Sequence, residues 1–320
     1  MGAERRPELL AVVNPVAGGC DADAVCEALA QACQTAGLRL RTHRTAPGDD
    51  VPERVRKALA EGCVRVVAAG GDGTVCAVAS AVLGGDVPLA IVPVGTANVL
   101  ARELGIPLDL EGACRLAASG MERRLLDAMQ IGERVYLCRV SLGVYSEIAA
   151  STSAAAKRAF RQVAYVWSAL RRLFQRRSWH FELETDGVRT SARASFVVVA
   201  NVGGIGAGDL RWGEDVTPDD GALDVFVVRA RSPWDYAVLF WHVLRRRQRE
   251  ARDVSVLRAR QRVWIRAGRR VPVRGDGEAL ASSQVEIRVR AGCIPVVCPA
   301  SAASLGGGGS EAPAGAAEPA

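Results

Sequence analysis

The chain has 320 residues, enough for one large domain or two ordinary ones, and half of them are apolar, so a full core can be buried. The formal charge of +6 comes almost wholly from arginine, which suits an anionic partner (phosphate, nucleic acid or an acidic membrane surface) without choosing among them. The longest strongly apolar run, "YAVLFWHVL" at 236–244, falls far short of the roughly 20 residues a spanning helix needs, which excludes a helical transmembrane protein.

The first part alternates strand and helix signals. "LLAVVNP" (9–15) reads as a buried strand ending at Asn-Pro, and residues 21–37 have a helical period with an Asp start and a Gly stop. "LRLRTHRT" alternates as a strand, and 52–62 is a helix with proline in its first turn. "VRVVAAGG" is a strand, "TVCAVASAVLGG" a helix, "PLAIVPVG" (88–95) a strand and "ANVLARELGI" a helix. Short apolar strands alternating with helices imply a parallel sheet covered on both faces. The texture changes near residue 125. Strand-like runs then dominate, from "VYLCRVSLGV" to "QVEIRVRAGCIPVVC", with Asp186-Gly187 as a hairpin signal and helical inserts at about 154–176 and 233–249. The expected fold is an N-terminal α/β domain with a parallel sheet (8–124) followed by a β-sandwich (125–299). A short extension (1–7) precedes them and a low-complexity tail (300–320) follows.

Within this frame "VAAGGDGTV" stands out. A strand, a glycine loop and a helix start form an anion cradle, because free N–H groups and the helix dipole favour phosphate. It is neither a Walker A loop nor a dinucleotide fingerprint; taken alone it could equally be a tight turn capped by Asp72 or Thr74. A second strand–Gly–Thr–helix loop, "PVGTAN", follows about 22 residues later. In a parallel sheet both would open at strand carboxyl ends, where ligands bind. A carboxylate repels phosphate, so Asp72 needs a reason. Magnesium bridging it to phosphate oxygens is one, and acceptance of a proton from an attacking hydroxyl is another. "GDGEAL" and "PDDG" are hairpin or turn signals on their own, and the second could also hold a hard cation.

The motifs "NPVAGG" (14–19), "GGDGT" (70–74), "PVGTANVLARELG" (93–105), "PDDGALDV" (218–225) and "GDGEAL" (275–280) occur in that order. Together they resemble the diacylglycerol kinase catalytic-domain family of bacterial lipid kinases, relatives of the sphingosine and ceramide kinases. The resemblance covers roughly residues 8 to 299. It implies an ATP- and magnesium-dependent kinase transferring the γ-phosphate to a lipid hydroxyl, of diacylglycerol or a sphingoid-type lipid, with ATP held between the two domains. Asn14, Thr45, Gly70, Gly71, Gly73, Thr74, Gly95, Thr96 and Asn98 match nucleotide-contacting positions and loops. Asp276 matches a general base, with Glu278 beside it, whereas the sphingosine kinase branch gives that role to the acid here numbered Asp72; both remain candidates. Asp127 matches an acid linked to the catalytic magnesium through water. Asp220, with carbonyls near Thr217 and Ala222, matches a second magnesium site. One departure is Val99, where many bacterial members carry an acid.

The partners expected are a lipid at a membrane surface and no nucleic acid, with a homodimer among the assemblies left open. The rivals are an NAD kinase-like enzyme, which shares the glycine loop but not "DDGALDV" or "DGE", and a membrane-associated nucleotide-binding protein without catalysis. "PWDYAVLFWHVLRRRQR" reads either as an interfacial helix with aromatic anchors and arginines or as a core helix with a solvated end. Nine cysteines without a CxxC pair read as reduced thiols, and "MGAERRPELL" lacks the apolar region of a signal peptide. The expected location is the cytoplasm, at the inner face of the membrane when docked.

Overall fold

A computed structural model describes residues 6–19, 21–146, 178–206, 210–213, 215–268, 271–280 and 284–300. The helical insert expected at 154–176 and nearly all of the expected tail lie outside them.

The chain begins with β1 (Glu8–Val13), α1 (Ala22–Thr35), β2 (Arg39–Arg44), α2 (Val51–Ala60), β3 (Arg65–Gly70), α3 (Asp72–Val82), β4 (Leu89–Pro93), α4 (Val99–Glu103) and α5 (Leu110–Ser119). The strands are parallel in the order β2-β1-β3-β4. Successive side chains of a strand point to opposite faces. Leu9, Ala11 and Val13 of β1 therefore pack against α1 and α5, while Leu10 and Val12 pack against α2 and α3. Buried on both faces, β1, β3 and β4 read as apolar runs, whereas the edge strand β2 is polar. Asp21, Asp50 and Asp109 each accept a backbone N–H in the first turn of the helix they precede.

The α5 helix has no counterpart among the expected elements. Its apolar residues are small, Gly112 interrupts them, and the stripe is faint. Tertiary structure supports it: the buried Arg65 guanidinium donates to the carbonyls of Ala117, Ala118 and Gly120, completing the helix C-terminus.

The second half contributes β5 (Arg123–Ile131), β6 (Arg134–Tyr136), β7 (Arg139–Gly143), β8 (Trp179–Thr185), β9 (Val188–Ala194), β10 (Phe196–Ala200) and β11 (Leu223–Val228). They are followed by α6 (Pro233–Leu244), β12 (Val254–Ala259), β13 (Arg262–Ala267), β14 (Val273–Gly275), β15 (Glu278–Leu280) and β16 (Gln284–Val297). One antiparallel sheet runs β12-β11-β10-β7-β14-β15. Its inner face, with Leu142, Val197, Val199 and Val225, packs on Phe181, Leu183, Ile265 and Ile287 of the facing strands. This is a β-sandwich.

Strand β16 joins the halves. It pairs antiparallel with β13 and β5, then meets β4 in parallel at Val296 and Leu89. Ile294 and Val296 enter the core of the α/β half. One sheet thus runs from β2 through to β9, and the sandwich is joined to the α/β half beside β4, the strand that leads into the second glycine loop.

Candidate functional site

Three loops follow adjacent parallel strands and so emerge on one edge. Asn14 follows β1, Gly71 follows β3 and Val94 follows β4, the order in which these strands lie side by side. They are tied at the backbone: Asn14 N–H donates to Ala69 O at 2.9 Å, and Gly95 N–H to Gly70 O at 3.2 Å. The Asn14 side chain also donates to Thr74 Oγ1 at 3.1 Å. Two glycines are demanded by contact. A Cβ on Gly95 would overlap Gly71 Cα, and a Cβ on Gly18, itself at φ +59°, would overlap Val94 O. The three loops form one layer of touching backbone.

Helix α3 starts from this layer at Gly71, which has no side chain with which to cap it. The first-turn N–H groups and the positive end of the dipole therefore face the loops. Asn98, buried and left-handed at φ 46°, donates to Pro93 O and Gly95 O at 3.1 and 2.8 Å. Its own Oδ1 is buried without a partner beside Gly95. A glycine-lined cradle and an uncapped helix start fit a polyphosphate, while the orphaned amide oxygen calls for a donor or a cation. Thr96 is exposed at the rim and Thr45 is half-buried, its N–H on Val13 O.

We expect Gly95→Ala to force these loops apart. A cost of about 2 kcal/mol, typical of an overpacked site, should appear in the denaturation midpoint, with nucleotide affinity falling more than tenfold. Unchanged nucleotide titrations would contradict the loop packing.

Asp72 turns away from its own helix toward the next. Its Oδ1 accepts Leu100 N–H at 3.3 Å, and the Val99 N–H also approaches it. Burial, then the neighbouring Asp276 charge, push its carboxyl above the ordinary aspartate value of 3.8. Asp276 sits at φ 44° in the β14–β15 turn with Gly277 at φ 90°, the Asp-Gly hairpin legible in the sequence. Its carboxylate is held far more firmly. It accepts Leu137 N–H at 2.7 Å, Cys138 N–H at 3.0 Å and Arg139 N–H at 2.7 Å, and the Cys76 thiol at 3.0 Å. Glu278 pairs with Arg134 at 3.3 Å and lies over Gly73, 3.5 Å from where a Cβ would stand. Asp72, Asp276, Glu278 and the glycine loops are thus one neighbourhood.

Three contributors here have no signal in the motifs. Arg139 lies close enough to both aspartates to feel their charge and donates to Gly204 O at 3.1 Å. Its sign was legible as a lone charge in the apolar run "YLCRVSLGV". Cys76 and Cys138 are buried, and burial followed by the Asp276 charge raises both thiols well above the usual range, so they stay protonated.

The remaining expected residues gather elsewhere. Asp127 lies opposite the irregular stretch of β16 between Arg290 and Ile294. It is almost wholly buried and accepts Gly221 N–H at 2.6 Å and Gly292 N–H at 2.7 Å, pinning the "PDDG" loop to that strand. Burial, then Asp220 and Asp219, raise its carboxyl. Asp220 accepts Ala222 N–H at 3.0 Å and pairs with Arg258 at 2.5 Å, while Asp219 pairs with Arg124 at 2.6 Å. Thr217 and Ala222 flank the same turn. The carboxylates of this loop are matched by the chain's own donors, with Arg258 on Asp220 Oδ2 and Ala222 N–H on Oδ1. Among the described residues no group of three or more His, Cys, Asp or Glu side chains is placed to hold a metal. Val99 is buried against Gly204 and Gly206.

A groove of about 590 Å³ is lined by Val99 and Glu103 of α4, by Leu108, by Gly206 and Arg211, and by Arg246. A hollow of about 700 Å³ lies on the outer face of β8, β9 and β13. It is walled by paired charges, Arg189–Glu184–Arg262 and Arg266–Glu182, and reads as a solvated sheet face remote from the loops.

Residues 8–131 match the diacylglycerol kinase catalytic domain, and residues 138–298 the YegS C-terminal NAD kinase beta sandwich-like domain. The chain is 29% identical over 289 residues to a "Probable lipid kinase YegS-like" of Pseudomonas fluorescens, covering 88% of this chain and 92% of that one. To its namesake in Pseudomonas syringae pv. syringae it is 30% identical, covering 85% and 88%. The fold matches the crystal structure of a diacylglycerol kinase from Bacillus anthracis with a TM-score of 0.73 at 22% identity, covering 93% and 98%.

Proposed function

Because the chain belongs to the family of YegS-like lipid kinases, built on a diacylglycerol kinase catalytic domain, we propose that it transfers the γ-phosphate of ATP to a lipid hydroxyl in a magnesium-dependent reaction. The observation that carries this reading is the single layer formed by the Gly70–Gly71 and Gly95 loops, with Asp72 and Asp276 beside it. Phosphoryl transfer needs positioning and charge neutralisation more than covalent chemistry. The uncapped start of α3 and the glycine backbone receive the phosphates.

Magnesium fits the donor set in one respect. The Asn98 Oδ1, buried beside Gly95 without a hydrogen-bond partner, is an oxygen that a hard cation could take. When bound it would neutralise charge on the transferring phosphoryl group. The acceptor lipid is diacylglycerol or a sphingoid-type lipid.

We assign the proton of the attacking hydroxyl to Asp72. A raised proton affinity suits an acceptor working near neutral pH, whereas the oxygens of Asp276 are filled by three N–H groups and a thiol. Asp276 then acts as a positioning residue that fixes the 137–139 backbone and sets the charge beside Asp72. No step is assigned to Asp127, Asp220 or Val99.

The test is label transfer from γ-labelled ATP, with magnesium or with chelator, into a total lipid extract and, in a parallel tube, into NAD. Labelled lipid only with magnesium supports the reading. Labelled NAD with unlabelled lipid would make this an NAD kinase-like enzyme. ATP binding with no labelled product would leave a nucleotide-binding protein.

A further inference from the structure

Helix α6 is apolar on two faces. Tyr236 and Leu239 point inward, to a cluster with Phe196, Trp212 and Phe226, and Val243 is buried one turn on. The opposite stripe follows the same helical spacing, with Trp234, Ala237, Val238 and Trp241 outward, and Phe240 and Leu244 beside it. Trp234 is 76% exposed, Phe240 54% and Trp241 53%. A helix apolar all round belongs inside a core or a membrane, and this one is half out of both. Its end is equally marked. Arg245, Arg246 and Arg247 follow at once, all exposed, and the Arg245 guanidinium lies over the Trp241 ring at 4.4 Å. The helix is secured from within by a capping box between Ser232 and Asp235 and by Pro233 in its first turn.

We propose that α6 is a docking element for an anionic phospholipid bilayer, with Trp234, Phe240 and Trp241 entering the interface and the arginines meeting phosphate head groups. Tryptophan and arginine on one exposed helix are the chemistry of an interfacial anchor, and the positive end names the charge of the surface. Arg246, two residues past the C-terminus of α6, lines the same groove as Val99. Docking by this helix therefore sets that groove near the lipid surface. The assignment of a bilayer rather than another protein rests on the lipid-acceptor reading above.

The test uses the full chain in flotation with vesicles of phosphatidylcholine alone and of phosphatidylcholine mixed with phosphatidylglycerol, without ATP. The wild type should float with the anionic vesicles, less with the neutral ones, and progressively less as salt is raised. Trp234→Gln/Phe240→Gln/Trp241→Gln should lower partitioning at least tenfold, and Arg245→Gln/Arg247→Gln should lower it on anionic vesicles only. Transfer to a short-chain diacylglycerol dissolved as monomers should be unchanged in both variants. Equal flotation of wild type and triple variant, or a wild type that ignores both vesicles, would overturn docking by α6. So would a concentration-dependent dimer lost in the triple variant with no change on vesicles, since a second copy would then own the face. Binding is read apart from turnover, so failure of the kinase reading and failure of docking give different results.

Discussion

Asp276→Asn is expected to cost about 3 kcal/mol of folding stability and to depress turnover with it. Asparagine tolerates the left-handed backbone at this turn, so the hairpin itself should survive. What changes is the acceptor set. The carboxylate takes the N–H groups of Leu137, Cys138 and Arg139 and the Cys76 thiol, whereas an amide turns one oxygen into a donor facing other donors. Hydrogen bonds to a charged group are worth about 1.5–3 kcal/mol each, and a buried N–H left unpaired adds to the loss. The denaturant midpoint checks this, and an unchanged midpoint would remove Asp276 from the structural account.

Asp72→Asn is expected to behave in the opposite way. Transfer should fall by about 10²–10⁴, the usual contribution of a positioned proton acceptor, while ATP still binds. The fold should hold, because an amide oxygen can still accept the Leu100 N–H. The sign of the stability change follows from the raised carboxyl. A folded-state pKa above the unfolded value means that the folded chain holds the proton more tightly. The ionised carboxylate therefore weakens the fold progressively as pH rises from 3.8 through the raised value. At neutral pH the variant should be as stable as the wild type or more so. The wild-type kcat/KM should also show an acidic limb above the ordinary aspartate range. Denaturation and pH–rate profiles of the two variants separate a group kept for chemistry from one kept for architecture; a destabilised Asp72→Asn would contradict this division.

Much of the site was legible because its signals are local. The strand–glycine–helix pattern at Gly70–Thr74 and at Gly95–Asn98 is written in adjacent residues, and parallel pairing of β1, β3 and β4 then brings the loops to one edge without further information. The Asp276-Gly277 turn was equally plain. Its partners were not, since Leu137 to Arg139 lie about 140 residues away and offer backbone N–H groups that leave no mark in a sequence. Arg139 and the two thiols became part of the site for the same reason. Helix α5 escaped a periodicity reading because alanine, cysteine and glycine give little contrast, and Arg65 supplies its end from another element. The return of β16 to β4 rests on long-range pairing that no local pattern encodes. For α6, two readings competed, and the core reading describes the inner face. The inner residues pack into a core while the outer tryptophans stand in solvent.

The account stands on one claim, that the layered glycine loops and Asp72 move phosphate from ATP to a lipid hydroxyl. The most direct measurement is transfer of label from γ-labelled ATP to a lipid extract in mixed micelles, run for the wild type beside Asp72→Asn and Gly95→Ala over a range of ATP concentrations up to saturation. The account predicts labelled lipid from the wild type, almost none from Asp72→Asn despite bound ATP, and recovery of Gly95→Ala only as ATP is raised. Equal labelling by wild type and Asp72→Asn would contradict it.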